Sequence, residues 1–215
     1  MTTLHNPKIA ALEASDVSTR LSAALAIGSS PDAQLFDALL ARCAIEPDFY
    51  VRDMLTWAVT RFPAQGTVPR LVAELGSQVA QARSQALHTL SKIRDAGTWP
   101  SITPSLLRDA DDEVARSAWR AAVVLVPEGQ RNALAVDLAS QLGRGDRNMQ
   151  LSLSRALLVL GEQAAEPVLR KAMASEDPLV RTHASATEKL LRDPDAAFEL
   201  DVHEAIRVFV LSKER

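Results

Sequence analysis

The feature that most constrains this chain is a motif that recurs six times at a nearly constant interval. Each copy begins at an arginine, or once at a glutamine, and reads roughly V-R-x-x-A-x-x-A-L. The copies begin at Arg20, Arg52, Arg83, Arg116, Gln150 and Arg181, with spacings of 32, 31, 33, 34 and 31 residues. Such a period predicts stacked copies of one supersecondary unit, because each copy has an apolar face that only a neighbouring copy covers.

Each unit is predicted to contain a first helix, a polar turn and a second helix that includes the anchor residue. Alternation typical of β-strands is absent at any convincing length, so we predict an all-α protein. The six helical hairpins are placed at about 4–28, 31–62, 67–94, 99–126, 128–160 and 162–192. A further amphipathic helix at 195–211 is predicted to cap the last hairpin, and the whole of 1–215 is predicted to be one repeat domain.

Residues that favour helix starts and ends agree with these units. Aspartates that precede second helices are predicted N-caps, namely Asp16, Asp112, Asp146 and Asp177. Glycines that follow helical runs are predicted helix ends, namely Gly28, Gly143 and Gly161. Prolines near the start of first helices cost little there, and these are Pro69, Pro104 and Pro167.

The buried face of each second helix is predicted from the residues three, six and seven places after the anchor. These are mostly small or aliphatic, as in Ala23, Ala26, Ile27, Leu55, Ala58, Val59, Leu153, Ala156, Leu157 and Ala184. The fourth unit has two registers, because Val114 also fits as the apolar opening residue. The face on which Trp119 lies depends on that choice.

Several segments resemble HEAT repeats of the short bacterial, PBS-lyase-like kind. The resemblance lies in Val51-Arg52, in Glu113-Val114-Ala115-Arg116, in residues 177–184 and in the proline-led first helices. It extends from about Asn6 to Leu191. It implies a right-handed α-solenoid whose second helices line the concave side and hold another macromolecule.

Residues suited to catalysis or metal binding are sparse. The four histidines lie in different units, and no metal-ligand spacing or paired cysteines occur. The repeated His-Glu pairs of HEAT-type di-iron hydroxylases are missing, since only His203-Glu204 occurs. The segment Gly143–Arg147 lacks the lysine of a phosphate-binding loop and is predicted to be a turn. We therefore expect no enzyme activity, no catalytic residue, no metal and no cofactor, and we expect the single Cys43 to be a buried, inert thiol.

Charge is unevenly distributed along the chain, although the net charge is only −3. The six second helices, taken as 17–27, 51–62, 79–93, 114–126, 147–160 and 180–191, contain eleven Lys or Arg and two acids. The second helices therefore carry a net charge of +9, and the rest of the chain carries −12. A basic face on an acidic body would favour an acidic partner.

Five of those cations are anchors, and two roles for them stay open. They either bond acids or carbonyls in adjoining turns or contact a partner. The remaining polar residues define a candidate partner-binding face, formed by Asp53, Trp57, Arg61, Gln85, His88, Lys92, Arg120, Arg147 and Arg155. For Trp57 a core position and an exposed one are equally compatible with the sequence, and an exposed aromatic among arginines is typical of interface hot spots.

These features favour a non-enzymatic scaffold that binds an acidic segment of a partner protein. The alternative is a nucleic-acid binder akin to the HEAT-like DNA glycosylases, for which Asp53, Trp57 and Arg61 match in residue type. A pI near 5.8 disfavours it, because phosphate binding depends on many cations. The N-terminus lacks signal-peptide features and no run reaches the ~18 apolar residues of a membrane span, so we expect a cytoplasmic protein.

Overall fold

Helices account for all the regular secondary structure of residues 6–193, the part of the chain that the computed structural model describes. The first helices of the pairs are α1 Pro7–Leu12, α3 Phe36–Cys43, α5 Ala64–Glu74, α7 Pro104–Leu107, α9 Arg131–Ala139 and α11 Glu162–Met173. The second helices are α2 Val17–Ser29, α4 Phe49–Thr60, α6 Ala80–Ile93, α8 Asp112–Leu125, α10 Arg147–Leu160 and α12 Pro178–Arg192. Short 3₁₀ helices occupy Ala33–Leu35, Ala96–Ser101 and Glu128–Gln130.

The helices form pairs in the order predicted from the repeat. In each pair within the described residues the first helix packs against the second, and the six pairs match the six predicted hairpins. The all-α prediction is confirmed. The predicted capping helix at 195–211 lies outside the described residues.

The chain divides into two compact units. The first runs to Pro127 and contains α1 to α8, with α2 packed on α4, α4 on α6, and α6 on α8. The second begins at Glu128 and contains α9 to α12, with α10 packed on α12 and α9 on α11. Within each unit the hairpins stack as in an α-solenoid. The single repeat domain over 1–215 stays a prediction.

Aspartates cap most second helices, as the sequence predicts. Asp16, Asp146 and Asp177 accept hydrogen bonds from amides in the first turns of α2, α10 and α12. In the fourth hairpin the predicted cap was wrong by one residue. Asp111 accepts from the amides of Glu113 and Val114, and Asp112 is the first residue of α8. Asp111 has the extended backbone that a capping residue requires, whereas Asp112 is helical.

The anchor side chains hold the turns between hairpin helices. Each of three arginines donates to carbonyls five or six residues before it: Arg20 to Ala14 and Ser15, Arg52 to Glu46 and Pro47, and Arg181 to Ser175 and Glu176. Arg83 donates to Ser77 O and to both carboxylate oxygens of Asp109 at 3.0 Å. The fifth anchor, Gln150, makes one weaker bond of the same kind, to Gly145 O at 3.3 Å. These five anchors thus have a structural role, whereas the fourth, Arg116, donates to Glu113 in the first turn of its own helix.

Glu46 is a buried acid in the turn before α4. Its carboxylate accepts from Arg20 Nε and Nη2 at 2.8 Å and from Arg42 Nε at 2.7 Å, and the Asp48 amide adds a fourth bond. Burial by itself raises the pKa of Glu46, but the hydrogen bonds from Arg20, Arg42 and Asp48 outweigh that effect and lower the pKa to about 2. The turn therefore carries a fixed, fully paired negative charge.

The core follows the predicted face of the second helices, with one exception. The residue three places after the anchor is buried in every second helix of the described residues, including Trp119 in α8. The Trp119 indole donates to Leu107 O at 2.8 Å, which decides the register of the fourth unit and removes this tryptophan from the surface. Ala26, predicted to be buried, is exposed, so that prediction was wrong.

Two predictions about helix ends were wrong. Gly28 lies inside α2 rather than after it, and a Cβ there would come within 2.3 Å of the Trp57 ring and 2.8 Å of Ala58 Cα. This glycine is needed for the close approach of α2 and α4. Pro69 and Pro167 lie at the sixth position of their helices, because α5 and α11 start earlier than their prolines indicate. Pro104 does begin α7, and Gly161 ends α10 with a φ of 87°.

Candidate functional site

The second helices of three successive hairpins line a groove in the first unit. It has a volume of about 480 Å³, and we call it the second-helix groove. Its polar lining comes from α4, α6, α8 and the turn before α8, through Arg52, Asp53, Thr56, Gln81, Ser84, Gln85, His88, Asp111, Glu113, Ser117 and Arg120. Four of these belong to the candidate partner-binding face predicted from the sequence, namely Asp53, Gln85, His88 and Arg120.

Hydrogen bonds between neighbouring helices set the register of the groove. Ser84 of α6 lies 3.0 Å from Ser117 of α8, and Thr56 of α4 donates to Gln85 of α6 at 3.4 Å. Small residues at these positions let the helices pack closely. As a result, the next turn of each helix places its polar side chains beside those of the neighbouring helix.

His88 lies at the centre of the charged part of the groove. Burial lowers the pKa of its imidazole, and the nearby charges of Lys92 and Arg120 lower it further, while Asp53 acts in the opposite direction. These charges come from three different helices. The structure thus brings together four of the residues that the sequence selected, and the ring is half-buried among them.

The charges are sorted along the groove rather than mixed. Arg61 and Lys92 are exposed near the carboxyl ends of α4 and α6, and Arg120 is exposed in the later half of α8. Asp111 and Glu113 lie at the amino end of α8, where Asp111 caps the helix and Glu113 pairs with Arg116 at 2.5 Å. The groove is therefore not uniformly basic. Apart from Arg52, which is bound to the turn before α4, the cations in and beside the groove lie toward the carboxyl ends of the three helices.

Trp57 is partly exposed at the edge of this cationic region. Its side chain is 37% exposed, with one face against Gly28 of the preceding hairpin. The Arg61 guanidinium lies 5.9 Å from the ring centroid, within range of a cation–π interaction. The open question about Trp57 is thus decided in favour of a surface position. Because one face of the indole already packs on the preceding hairpin, a partner that covers the other face restricts the side chain little further.

The remaining predicted site residues lie in the second unit. Arg147 and Arg155 are exposed on α10, and each has interactions with other residues. Within the first unit the groove collects Asp53, Gln85, His88 and Arg120. Trp57 and Lys92 lie on α4 and α6, and Arg61 directly follows α4.

Some polar residues of the groove have structural partners. Gln81 donates to Cys43 O and Glu46 O, both at 2.8 Å, and so ties α6 to the preceding turn. Arg52 holds the same turn through its two carbonyl bonds. These contacts give both side chains a structural role, although both also line the groove.

An exposed apolar group at one end of α4 was not predicted. Phe49 and Tyr50 are 66% and 73% exposed, their rings stack edge to face with centroids 5.6 Å apart, and Phe49 lines the groove. Ile45 in the turn before them is also exposed. The available signal was the spacing of four between Phe49 and Asp53, which places them on one helical face.

A buried histidine in the second unit was missed as well. His183 Nδ1 accepts from the Gly143 amide at 3.0 Å, and its Nε2 lies 2.9 Å from Gln150 O and 3.1 Å from Ser154 Oγ. This pattern fixes a neutral imidazole with the proton on Nε2, and burial lowers its pKa. The role is structural, because the ring connects the turn at Gly143 to α10 and α12.

Residues 6–193 contain neither a cluster of metal-binding side chains nor a membrane-spanning helix. No group of three or more His, Cys, Asp or Glu side chains among residues 6–193 is arranged to hold a metal ion. None of the helices from α1 to α12 is long and apolar enough to cross a membrane.

The chain is similar to known proteins in its repeats. The family model for HEAT repeats matches residues 36–123, which contain the second to fourth hairpins up to α8. No curated protein matches the chain. An engineered protein of known structure is 22% identical, with 86% of this chain and 95% of that chain covered and a TM-score of 0.48. The complex of CpcE and CpcF of phycocyanin lyase from Nostoc sp. PCC7120 is 21% identical, with 86% and 77% covered and a TM-score of 0.48.

Proposed function

We propose that this chain, whose residues 36–123 match the family model for HEAT repeats, is a non-enzymatic scaffold that binds an acidic segment of a partner protein. Repeat proteins of this kind present extended surfaces on which other macromolecules bind. The proposed site is the carboxyl half of the second-helix groove, with Trp57 and Arg61 at its edge. The proposal places this interaction in the cytoplasm.

The observation that carries the proposal is the environment of His88. Lys92 and Arg120 approach this half-buried ring closely enough to lower its pKa, although they come from different helices. Positive charges placed together in this way repel one another in the free protein, although Asp53 of α4 acts in the opposite direction. A carboxylate from a partner relieves that repulsion.

A second observation that supports the proposal is that the anchor arginines of the first three hairpins are bound within the repeat stack. Arg20, Arg83 and Arg52 bond acids or carbonyls within the repeat stack. The cations left on α4 and α6 are Arg61 and Lys92, and both are exposed. An acidic partner is thus directed to one region of the groove rather than to the whole surface of the second helices.

Trp57 supplies the apolar part of the proposed interface. Binding energy in protein interfaces concentrates in a few residues, with Trp and Arg prominent among them. Trp57 beside Arg61 combines both types, and the Gly28 backbone supports the ring from behind. The indole therefore loses little additional conformational entropy when a partner covers it.

A charge-reversal pull-down tests this proposal. The variant Arg61→Glu with Lys92→Glu is compared with a matched control, Arg170→Glu with Lys171→Glu, which replaces one exposed Arg and one exposed Lys of α11. Tagged proteins are incubated with nuclease-treated cytosol of the native host, and the bound proteins are quantified. We expect a stoichiometric protein that the wild type and the control retain and the groove variant loses.

Two results would contradict the proposal. Equal recovery by the groove variant and the control would mean that the cations of α4 and α6 are not the binding site. Bound protein that is recovered from untreated cytosol but not from nuclease-treated cytosol, together with steeply salt-dependent binding to random duplex DNA, would favour a nucleic-acid binder instead.

A further inference from the structure

We propose that the bound segment is an extended peptide in which an apolar side chain and a carboxylate are separated by about three residues. The apolar side chain packs on Leu25 and Trp57, and the carboxylate lies between Lys92 and His88. This inference rests on the proposed function and specifies the chemistry of the partner.

The apolar contact is formed across two helices. Leu25 of α2 is 47% exposed and Trp57 of α4 is 37% exposed. Trp57 packs against Gly28, and Leu25 lies three residues before Gly28, on the same face of α2. The two side chains thus border one apolar surface, which a single aliphatic residue of a partner can cover.

The cationic contact occupies the equivalent position one hairpin later. His88 follows its anchor Arg83 by five residues, as Leu25 follows Arg20 and Trp57 follows Arg52. Lys92 lies one turn beyond His88 on α6. The same repeat position therefore changes from apolar in the first two hairpins to a half-buried histidine, with Lys92 one turn beyond it, in the third.

The separation of about three residues between the apolar side chain and the carboxylate of the peptide follows from the packing of α4 and α6. Neighbouring packed helices have axes about 8–10 Å apart. An extended chain advances about 3.3 Å per residue, so crossing from the α4 surface to the α6 surface takes about three residues. A second carboxylate about three residues further along would reach Arg120 of α8.

Gln85 favours an extended segment over a helical one. Its Oε1 accepts from Thr56, while its Nε2 has no acceptor among the residues that the structure describes. The Gln85 side chain lines the groove, one turn before His88 on α6. An extended peptide offers free backbone carbonyls to such a donor, whereas the carbonyls in the middle of a helix are already bonded.

The test uses synthetic fluorescein-labelled peptides in a Gly-Ser background. Each contains one leucine and one glutamate, in both orders, with their separation varied from one to seven residues. Matched peptides lack the leucine or the glutamate. Affinity is measured by fluorescence anisotropy at low salt, and the indole N–H resonance of Trp57 is followed by NMR.

We expect the tightest binding at a separation of about three residues, about fivefold tighter than for the leucine-free peptide. Trp57→Ala should remove the contribution of the leucine and leave that of the glutamate. Leu25→Ser, at a more exposed position, should weaken the same contribution. Lys92→Glu should remove the contribution of the glutamate. The controls Tyr50→Ala and Lys171→Glu, at exposed positions outside the groove lining, should change neither.

The outcomes separate this inference from the proposed function. Binding that depends on the glutamate and on Lys92, but not on the position of the leucine, overturns the inference and leaves the acidic-segment proposal in place. Peptides that bind equally with and without glutamate overturn both.

Discussion

Arg20 and Glu46 form a two-point ion pair, with Arg20 Nε and Nη2 each 2.8 Å from a different carboxylate oxygen. The pair joins the anchor of the first hairpin to the turn of the second, and both side chains are almost completely buried. Arg42 donates to the same carboxylate, and Glu46 O accepts from Arg52 and Gln81. Successive hairpins are thus connected through one buried acid.

Replacing Glu46 by Gln is expected to destabilise the first unit by about 3 kcal/mol, because two arginines lose their common counter-charge in a buried site. The measurement is urea unfolding at pH 7. Asp37→Asn is the control, since Asp37 pairs with Arg70 on the exposed surface, where an ion pair contributes less than about 1 kcal/mol. Equal losses for the two variants would contradict this assignment.

The stability that the Arg20–Glu46 ion pair contributes depends on pH. The pKa of Glu46 is about 2 in the folded protein against an ordinary value of 4.5, so its contribution is complete above pH 4.5 and is lost as the pH falls toward 2. We expect the difference in unfolding free energy between wild type and Glu46→Gln to shrink over that window. A difference that stays constant from pH 5 to pH 2.5 would exclude a role for the Glu46 charge.

Two glycines within helices are expected to respond in opposite directions to alanine. Gly28→Ala places a Cβ against the Trp57 ring and the Ala58 backbone, and overpacking of this kind costs about 2 kcal/mol. Gly66→Ala in α5 meets nothing within 4 Å and should stabilise the protein by about 0.5–1 kcal/mol. Thermal unfolding measures both effects. A neutral Gly28→Ala variant with an unshifted Trp57 indole resonance would mean that the close contact is absent in solution.

His183 is expected to remain neutral to a lower pH than an ordinary histidine. Protonation would place a second N–H against the Gly143 amide, and burial also disfavours the charge. Because the folded pKa is lowered, the stability that His183 contributes is complete above about pH 6.5 and is lost as the pH falls through the folded pKa. NMR titration of the ring should give a pKa below 6.5 and the Nε2–H tautomer. An Nδ1–H tautomer would contradict the hydrogen-bond assignment.

Cys43 is expected to be unreactive in the folded protein. Its thiol is buried, and burial raises its pKa to about 12, so almost no thiolate is present at pH 8. Iodoacetamide should react about 100-fold more slowly with the native protein than with the protein unfolded in urea. Comparable rates would show that α3 opens readily.

The repeat itself was the strongest source of prediction. A face that must be covered by the next hairpin forces a regular interval, so the anchors located all six second helices. The position three residues after the anchor is a core position in each of them. For that reason Trp119 is buried, and the position five residues after the anchor carries the surface residues Leu25 and Trp57.

Other features depend on contacts between neighbouring hairpins, and the sequence pattern does not show these contacts. Gly28 resembles a helix end in the sequence, and its need to be glycine comes from the indole on the next hairpin. Glu46 lies in a turn without periodicity, so nothing in its surroundings distinguishes it from a solvated acid. The basic face was overestimated for the same reason, because counting cations does not show which of them the turns have already bound.

The most direct test of the acidic-segment proposal is to locate the binding of a short glutamate-rich peptide by NMR. Backbone and indole resonances of the ¹⁵N-labelled protein are followed during titration at low salt. The proposal predicts shifts concentrated at Trp57, Arg61, His88, Lys92 and Arg120, and their loss in the Arg61→Glu, Lys92→Glu variant. Shifts confined to the first helices α3 and α5, or identical titrations of the wild type and the variant, would contradict it.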